Sequence, residues 1–230
     1  MNTKKSSSAL SLGSTDGLSR HAGGFDAGSV DAARRRLLQA AATCFAGKGY
    51  AATTVRDITA RAGCNVGAVT YHFGGKHKAY IAVFEERLGE LTAYRLQALQ
   101  ALHGQAAPSL EHVIETFAVA FLEPLHGDQR SRETMMLLLR ELVDCQLPAN
   151  VVAQRMIRPT LGALAQALQR ACTGIEPERL TQCCHSLVSQ LVHVLQVQRF
   201  HQRECAAQRP CVELAQTVRH IVQFSAAGVR

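Results

Sequence analysis

Between Thr53 and Lys76 the chain reads TTVRDITARAGCNVGAVTYHFGGK, and this stretch gathers groups suited to holding an anion. Tyr71, His72 and Lys76 bring a phenol, an imidazole and an ammonium close together, three donors that can grip phosphate oxygens. Lys76 also stands at a helix start, where free backbone N–H groups favour negative charge. Thr54 and Arg56 open the preceding helix, one within reach of a sugar–phosphate backbone and the other of a guanine edge. Asn65, Gly67, Ala68 and Thr70 are small or amide-bearing, so they set how closely that face approaches base edges. Arg34, with Arg35 and Arg36, adds three consecutive cations at an expected helix N-terminus. The macrodipole disfavours cations there, a conflict that a nearby phosphate would remove.

The elements that must position these groups are legible locally. Thr54 can cap a first helix, with Asp57 completing a capping box. Val55, Ile58 and Ala62 share one face of it, and Gly63 stops it. Asn65 is placed to cap a second helix, in which Val66, Val69 and Phe73 are expected to point inward together. Gly67, Ala68, Thr70, Tyr71 and His72 are then left outward. A slim, nearly uncharged helical face of this kind suits a major groove, which admits one α-helix.

Charge agrees with that reading. Residues 31–80 carry eight basic and two acidic side chains, whereas residues 96–230 carry twelve and eleven. The whole chain is +7, so the excess is concentrated around the two short helices. A focused basic excess is the footprint of a polyanion-binding face.

The run GYAATTVRDITARAG…VGAVTYHFGGK strongly resembles the N-terminal domain of TetR-type transcriptional regulators. The shared features are Gly49-Tyr50, Thr53-Thr54, Ile58, Ala62-Gly63, Tyr71-His72-Phe73, and Gly74 with Lys76. The likeness spans roughly residues 33–84. Three positions depart from the usual pattern. Thr59 replaces a core alanine and is expected to bond back to a helix carbonyl. Thr70 replaces a frequent aromatic residue, and His77 a frequent acidic one. The resemblance implies a sequence-specific regulator, most readily a repressor, that leaves its operator when a small molecule binds elsewhere.

Beyond the motif the chain reads as amphipathic helices, an all-α composition with 5% aromatic residues and no tryptophan. Lys76 to about Leu102 forms a long helix that links the first unit to the rest. Further helices are expected at 110–125, 132–143, 149–172, 176–203 and after Pro210, with Pro159 interrupting or kinking the third of them. The expected organisation is a polar tail over residues 1–29, a DNA-binding domain over 30–80, and a helical domain over 81–230. The tail lacks an apolar signal core, and a cytoplasmic location with no membrane partner is expected.

The segments FLEPL, LLLRELVD, MIRPTLGALAQAL and HIVQFSAAG resemble the C-terminal domain of the CerR-like branch of these regulators, over about residues 110–228. That resemblance implies a homodimer formed through the last two helices. It also implies a double-stranded, pseudo-palindromic DNA operator and a small-molecule effector held in an apolar cavity. Phe117, Phe121, Met135, Leu139 and Met156 are candidate lining residues, with Met136 beside them. Arg140 or Arg158 could meet an anionic ligand if either faces inward.

The sequence contains no nucleophile elbow, phosphate-binding glycine loop or HExxH motif, so no catalytic role is expected. The eight cysteines show no CxxC or metal-finger spacing, and no cofactor or metal is expected. In Cys183-Cys184-His185, adjacent helical positions diverge by about 100° and cannot readily chelate one ion.

Overall fold

Gly63 sits in the left-handed region at φ 63°, and this one residue turns the chain between the two short helices. Its N–H bonds back to Ala60 O, and the next N–H, from Cys64, bonds to Thr59 O at 2.9 Å. Helix ends commonly close this way, because glycine enters that conformation without a Cβ penalty. On the other side of the turn Asn65 O accepts from Ala68 N at 3.1 Å, and the next helix begins.

The computed structural model describes residues 27–104, 108–204 and 213–229, and among them it is helical with no strand. The first unit contains α1 (Ala27–Ala52), α2 (Val55–Ala62), α3 (Gly67–Phe73) and the start of α4 (Lys76–Gln100). Then come α5 (Leu110–Leu122), α6 (Gln129–Asp144), α7 (Ala149–Val152), α8 (Arg158–Ala171), α9 (Pro177–Glu204) and α10 (Leu214–Val229). A π-helical stretch, Ala153–Ile157, joins α7 to α8 just before Pro159. Proline cannot donate to the preceding turn, so the helix widens there and resumes. The expected interruption at Pro159 is therefore present.

Two apolar cores meet along α4. Phe45, Ile58, Val69, Tyr80, Val83, Phe84 and Leu88 belong to the first, which also takes in Leu137 and Leu147 from the second unit. Leu91 and Leu99 belong to the second, with Phe117, Phe121, Met135, Leu164, Leu187 and Ile221. The first core thus runs past Tyr80, and α4 serves both units as one continuous rod.

Several expectations about α1 to α3 change. The first helix opens at Ala27, so Arg34 to Arg36 lie inside it and not at its N-terminus. The macrodipole acts within the first turn, so the electrostatic conflict expected for them does not arise. Asn65 does not cap α3. Val66 occupies the N-cap with helical angles and no side-chain bond, because the Asn65–Ala68 turn already starts the helix. Val66 is 55% exposed instead of inward, while Val69 is fully buried. Within α1, Gly49 breaks the helical path at φ 81°, and Thr53 seals the break by donating to Gly49 O at 2.8 Å.

The capping box at α2 is complete. Asp57 N donates to Thr54 Oγ1 at 3.1 Å, and Thr54 N donates to Asp57 Oδ2 at 2.8 Å. Thr59 Oγ1 bonds back to Val55 O at 3.0 Å, as expected for a hydroxyl at a core position. The bond from the Thr54 backbone, helped by Lys48 at 3.0 Å, lowers the Asp57 carboxyl from 3.8 to about 2. A lowered native pKa stabilises the fold at pH above about 3.8, and that contribution is lost as pH falls towards 2. Acid unfolding followed by helical circular dichroism should therefore show Asp57→Asn destabilised relative to wild type at pH 6. The two proteins should converge near pH 2.

Candidate nucleic-acid interface

The exposed side of α3 is built by burying the opposite one. Val69 packs fully inside, and Phe73 is half-buried with the Arg34 guanidinium 5.2 Å from its ring centroid. Thr70 and Tyr71 are left facing solvent, Tyr71 at 70% exposure, a high value for a large aromatic ring. The His72 ring stands edge-on to Tyr71 at 5.0 Å. Asn65 and Gly67 are exposed on the approach to the same face. Ala68 is an exception, because it is half-buried against the first core and not part of the outward surface.

The flanking cations occupy different situations. Arg56 is exposed at the start of α2, next to the exposed cap Thr54. Lys76 lies with its Nζ 4.3 Å from the Tyr50 ring centroid and 3.5 Å from Ala51 O. Its charge is thereby tethered beside the end of α1, a cation–π placement that orders the side chain at the edge of the α3 face. Tyr50 itself stacks on Phe45 and meets Tyr80 edge-on at 5.0 Å, so the surface cation rests directly on the first core.

The expected effector residues divide. Phe121, Met135, Leu139 and Met156 line one cavity of about 330 Å³ between α4, α5, α6 and α9. Phe117 does not; it is fully buried behind Phe121, ring centroids 5.8 Å apart. Arg140 faces the other way. Its Nε donates to Ala46 O at 3.0 Å and its Nη2 to Gly47 O at 2.8 Å, so it holds the end of α1 just before the Gly49 break. Those carbonyls lose helical partners at the break, which makes them acceptors for a guanidinium. Arg158 is exposed.

One lining residue escaped the sequence reading. Arg95 is 1% exposed, borders the cavity, and lies 3.8 Å above the Phe121 ring. A signal was present: Leu88, Leu91, Thr92, Arg95 and Leu99 recur at helical spacing, which places the arginine on the buried stripe.

A second tie between the units also went unread. Arg130 on α6 bonds Glu86 and Glu90 on α4 at 2.7 and 2.6 Å, and Gln39 on α1 at 2.9 Å. With Arg140, this makes α6 as well as α4 a link to the first unit.

Among the described cysteines, Cys44, Cys64, Cys172 and Cys183 are half-buried, Cys184 is buried and Cys145 is exposed; Cys205 and Cys211 lie outside the described residues. Cys184 is buried with its thiol pushed up to about 11, chiefly by desolvation, while the neighbouring His185 is exposed. Among the described residues no group of histidine, cysteine and carboxylate side chains could hold a metal ion, and no helix is long and apolar enough to cross a membrane.

Comparison with known proteins bears on both units. Residues 37–83 match the family described as "Bacterial regulatory proteins, tetR family", and residues 115–228 match the "Tetracyclin repressor-like, C-terminal domain". A regulator of Mycobacterium bovis, the HTH-type transcriptional regulator Mb3439c, is 46% identical over 151 residues, covering 61% of this chain and 77% of its own. The chain belongs to the TetR family.

The HTH-type transcriptional repressor KstR2 of Mycolicibacterium smegmatis is 37% identical over 97 residues, 42% of this chain. The match spans 45% of that relative's length, so the chain covers about half of it. A TetR-family regulator of known structure from Mesorhizobium loti superposes with a TM-score of 0.65 at 17% identity, covering 86% of this chain and 96% of its own. At that identity the likeness speaks for the fold. Lys76 holds the end of α1 against the start of α4 through Tyr50 and Ala51 O, while Thr53 closes the break at Gly49.

Arg140→Ala should lower the urea midpoint for unfolding, equivalent to about 1–3 kcal/mol for two charge-assisted bonds. An unchanged midpoint would show that those bonds contribute nothing.

Proposed function

We propose that this chain is a dimeric transcriptional repressor that reads a pseudo-palindromic operator with α3 and is released by a small molecule bound in its helical domain. The observation that carries the reading is the α3 face, where Thr70 and Tyr71 are exposed above a fully buried Val69 and beside Arg56 and Lys76. A small-residue face flanked by cations matches what direct readout in a major groove requires. In this arrangement Tyr71, His72, Lys76 and Arg34 hold phosphates, Thr54 and Arg56 contact the adjoining strand, and Asn65, Gly67 and Thr70 meet base edges.

Dimer formation through α9 and α10 is supported by Phe224, which α10 leaves 63% exposed. Covering that ring with a second subunit would remove its apolar area from water. A two-fold pair sets its recognition helices one duplex turn, about 34 Å, or a multiple apart. Release follows as a population shift: the effector binds better to the arrangement whose α3 spacing does not fit the operator, and α4 and α6 carry the difference.

The test is a mobility shift on duplex DNA from upstream of the chain's own gene, titrated with salt. Lys76→Ala should weaken binding about equally for all sequences and reduce the salt slope by about one phosphate per subunit. Thr70→Val should instead change which sequence is preferred. An exchange of these two outcomes would overturn the assignment.

A further inference from the structure

Arg95 is the least reconciled charge in the described structure. It is 1% exposed, and among the described residues no carboxylate pairs with it. Its Nε has no hydrogen-bond partner. Burial alone pushes the guanidinium down to about 9, so it still carries its charge at neutral pH. The Phe121 ring beneath it supplies a cation–π contact, which offsets only part of the desolvation of a buried cation.

Among the described residues the only carboxylate bordering the same cavity is Glu141, and both of its oxygens are engaged elsewhere. Glu141 Oε2 accepts from the Tyr80 hydroxyl at 2.8 Å, and Oε1 from Leu147 N at 2.6 Å. The rest of the wall is apolar, with Met135, Leu139, Met156 and Val192 among its side chains. An apolar chamber with one unsatisfied cation is complementary to a molecule with an apolar body and one negative end. At about 330 Å³ the chamber is at the small end for ligand pockets, which limits that body to a compact chain or ring.

We propose that the effector is a compact organic anion, an apolar carboxylate whose acid group pairs with Arg95 and whose body lies against Met135, Leu139 and Met156. This rests on the regulator reading above and specifies the chemistry of its effector. The pairing would satisfy a buried donor and draw on α4, the helix that also carries the DNA-binding core.

Calorimetric titration without DNA tests it, using decanoate and phenylacetate against their uncharged counterparts, 1-decanol and phenylacetamide. The full chain should bind at least one anion about 10-fold or more tightly than its neutral counterpart, the ratio expected for a charge-assisted bond. Arg95→Met should abolish that preference, and Arg95→Lys should keep part of it. Because no carboxylate among the described residues pairs with this buried guanidinium, the melting temperature of Arg95→Met without ligand should equal or exceed that of wild type. The inference is overturned if neither anion outbinds its neutral partner, if Arg95→Met keeps the preference, or if Arg95→Met lowers the melting temperature sharply while Arg95→Lys does not. Wild type ignoring every duplex would instead sink the regulator reading alone, since the titration contains no DNA.

Discussion

A buried hydrogen bond from the Tyr80 hydroxyl to Glu141 stands among the ties that join the two halves of this molecule, beside those made by Arg130 and Arg140. Tyr80 is 1% exposed and packs edge-on against Phe45 and Tyr50, under the surface where Lys76 rests. Glu141 lies on α6 at the wall of the cavity proposed for the effector and also accepts from Leu147 N, fixing the turn after that helix. A phenol and a carboxylate removed from water are costly unless each satisfies the other. Burial, reinforced by the carboxylate, accordingly raises the Tyr80 phenol far above its ordinary value. The arrangement is tolerable only while α4 and α6 keep their present register.

From that constraint follows the way the head is carried. α4 cannot rotate without dragging Tyr80 off Glu141, and α6 cannot shift without moving Arg130 against Glu86 and Glu90 or Arg140 against the end of α1. Packed cores respond to displacement by switching between discrete arrangements, not by gradual deformation. In the proposed mechanism a ligand entering beside Arg95 and Glu141 acts on the two elements that set the orientation of α3. The distance from cavity to DNA face is crossed by a few packed side chains of defined geometry.

The fold was largely legible because its signals are local. Thr54 and Asp57 announce a capping box, Gly63 a left-handed stop, and Pro159 a helix interruption, and each acts through its own backbone neighbourhood. Errors arose where the deciding partner lies far away in sequence. Val66 matched the inward period of α3 but fell at the N-cap, outside the helical register. Arg140 looked like a ligand-facing cation until the carbonyls freed by the Gly49 break, some ninety residues earlier, claimed it. Arg95 was passed over for the opposite reason. It sits on the buried stripe of α4, yet an arginine is ordinarily read as solvent-facing. The order of the two DNA-unit helices needed no tertiary information, whereas the cavity depends on how α4, α5, α6 and α9 close around it.

The claim that Tyr80 and Glu141 act as a coupled buried pair across the joint between the two units is tested by a double-mutant cycle on Tyr80→Phe and Glu141→Gln, read as unfolding free energy. Groups that depend on each other lose less when removed together than the single changes sum to. The expected coupling is about 1 kcal/mol or more. Additive single effects within about 0.3 kcal/mol would contradict the account, because the two side chains would then act independently.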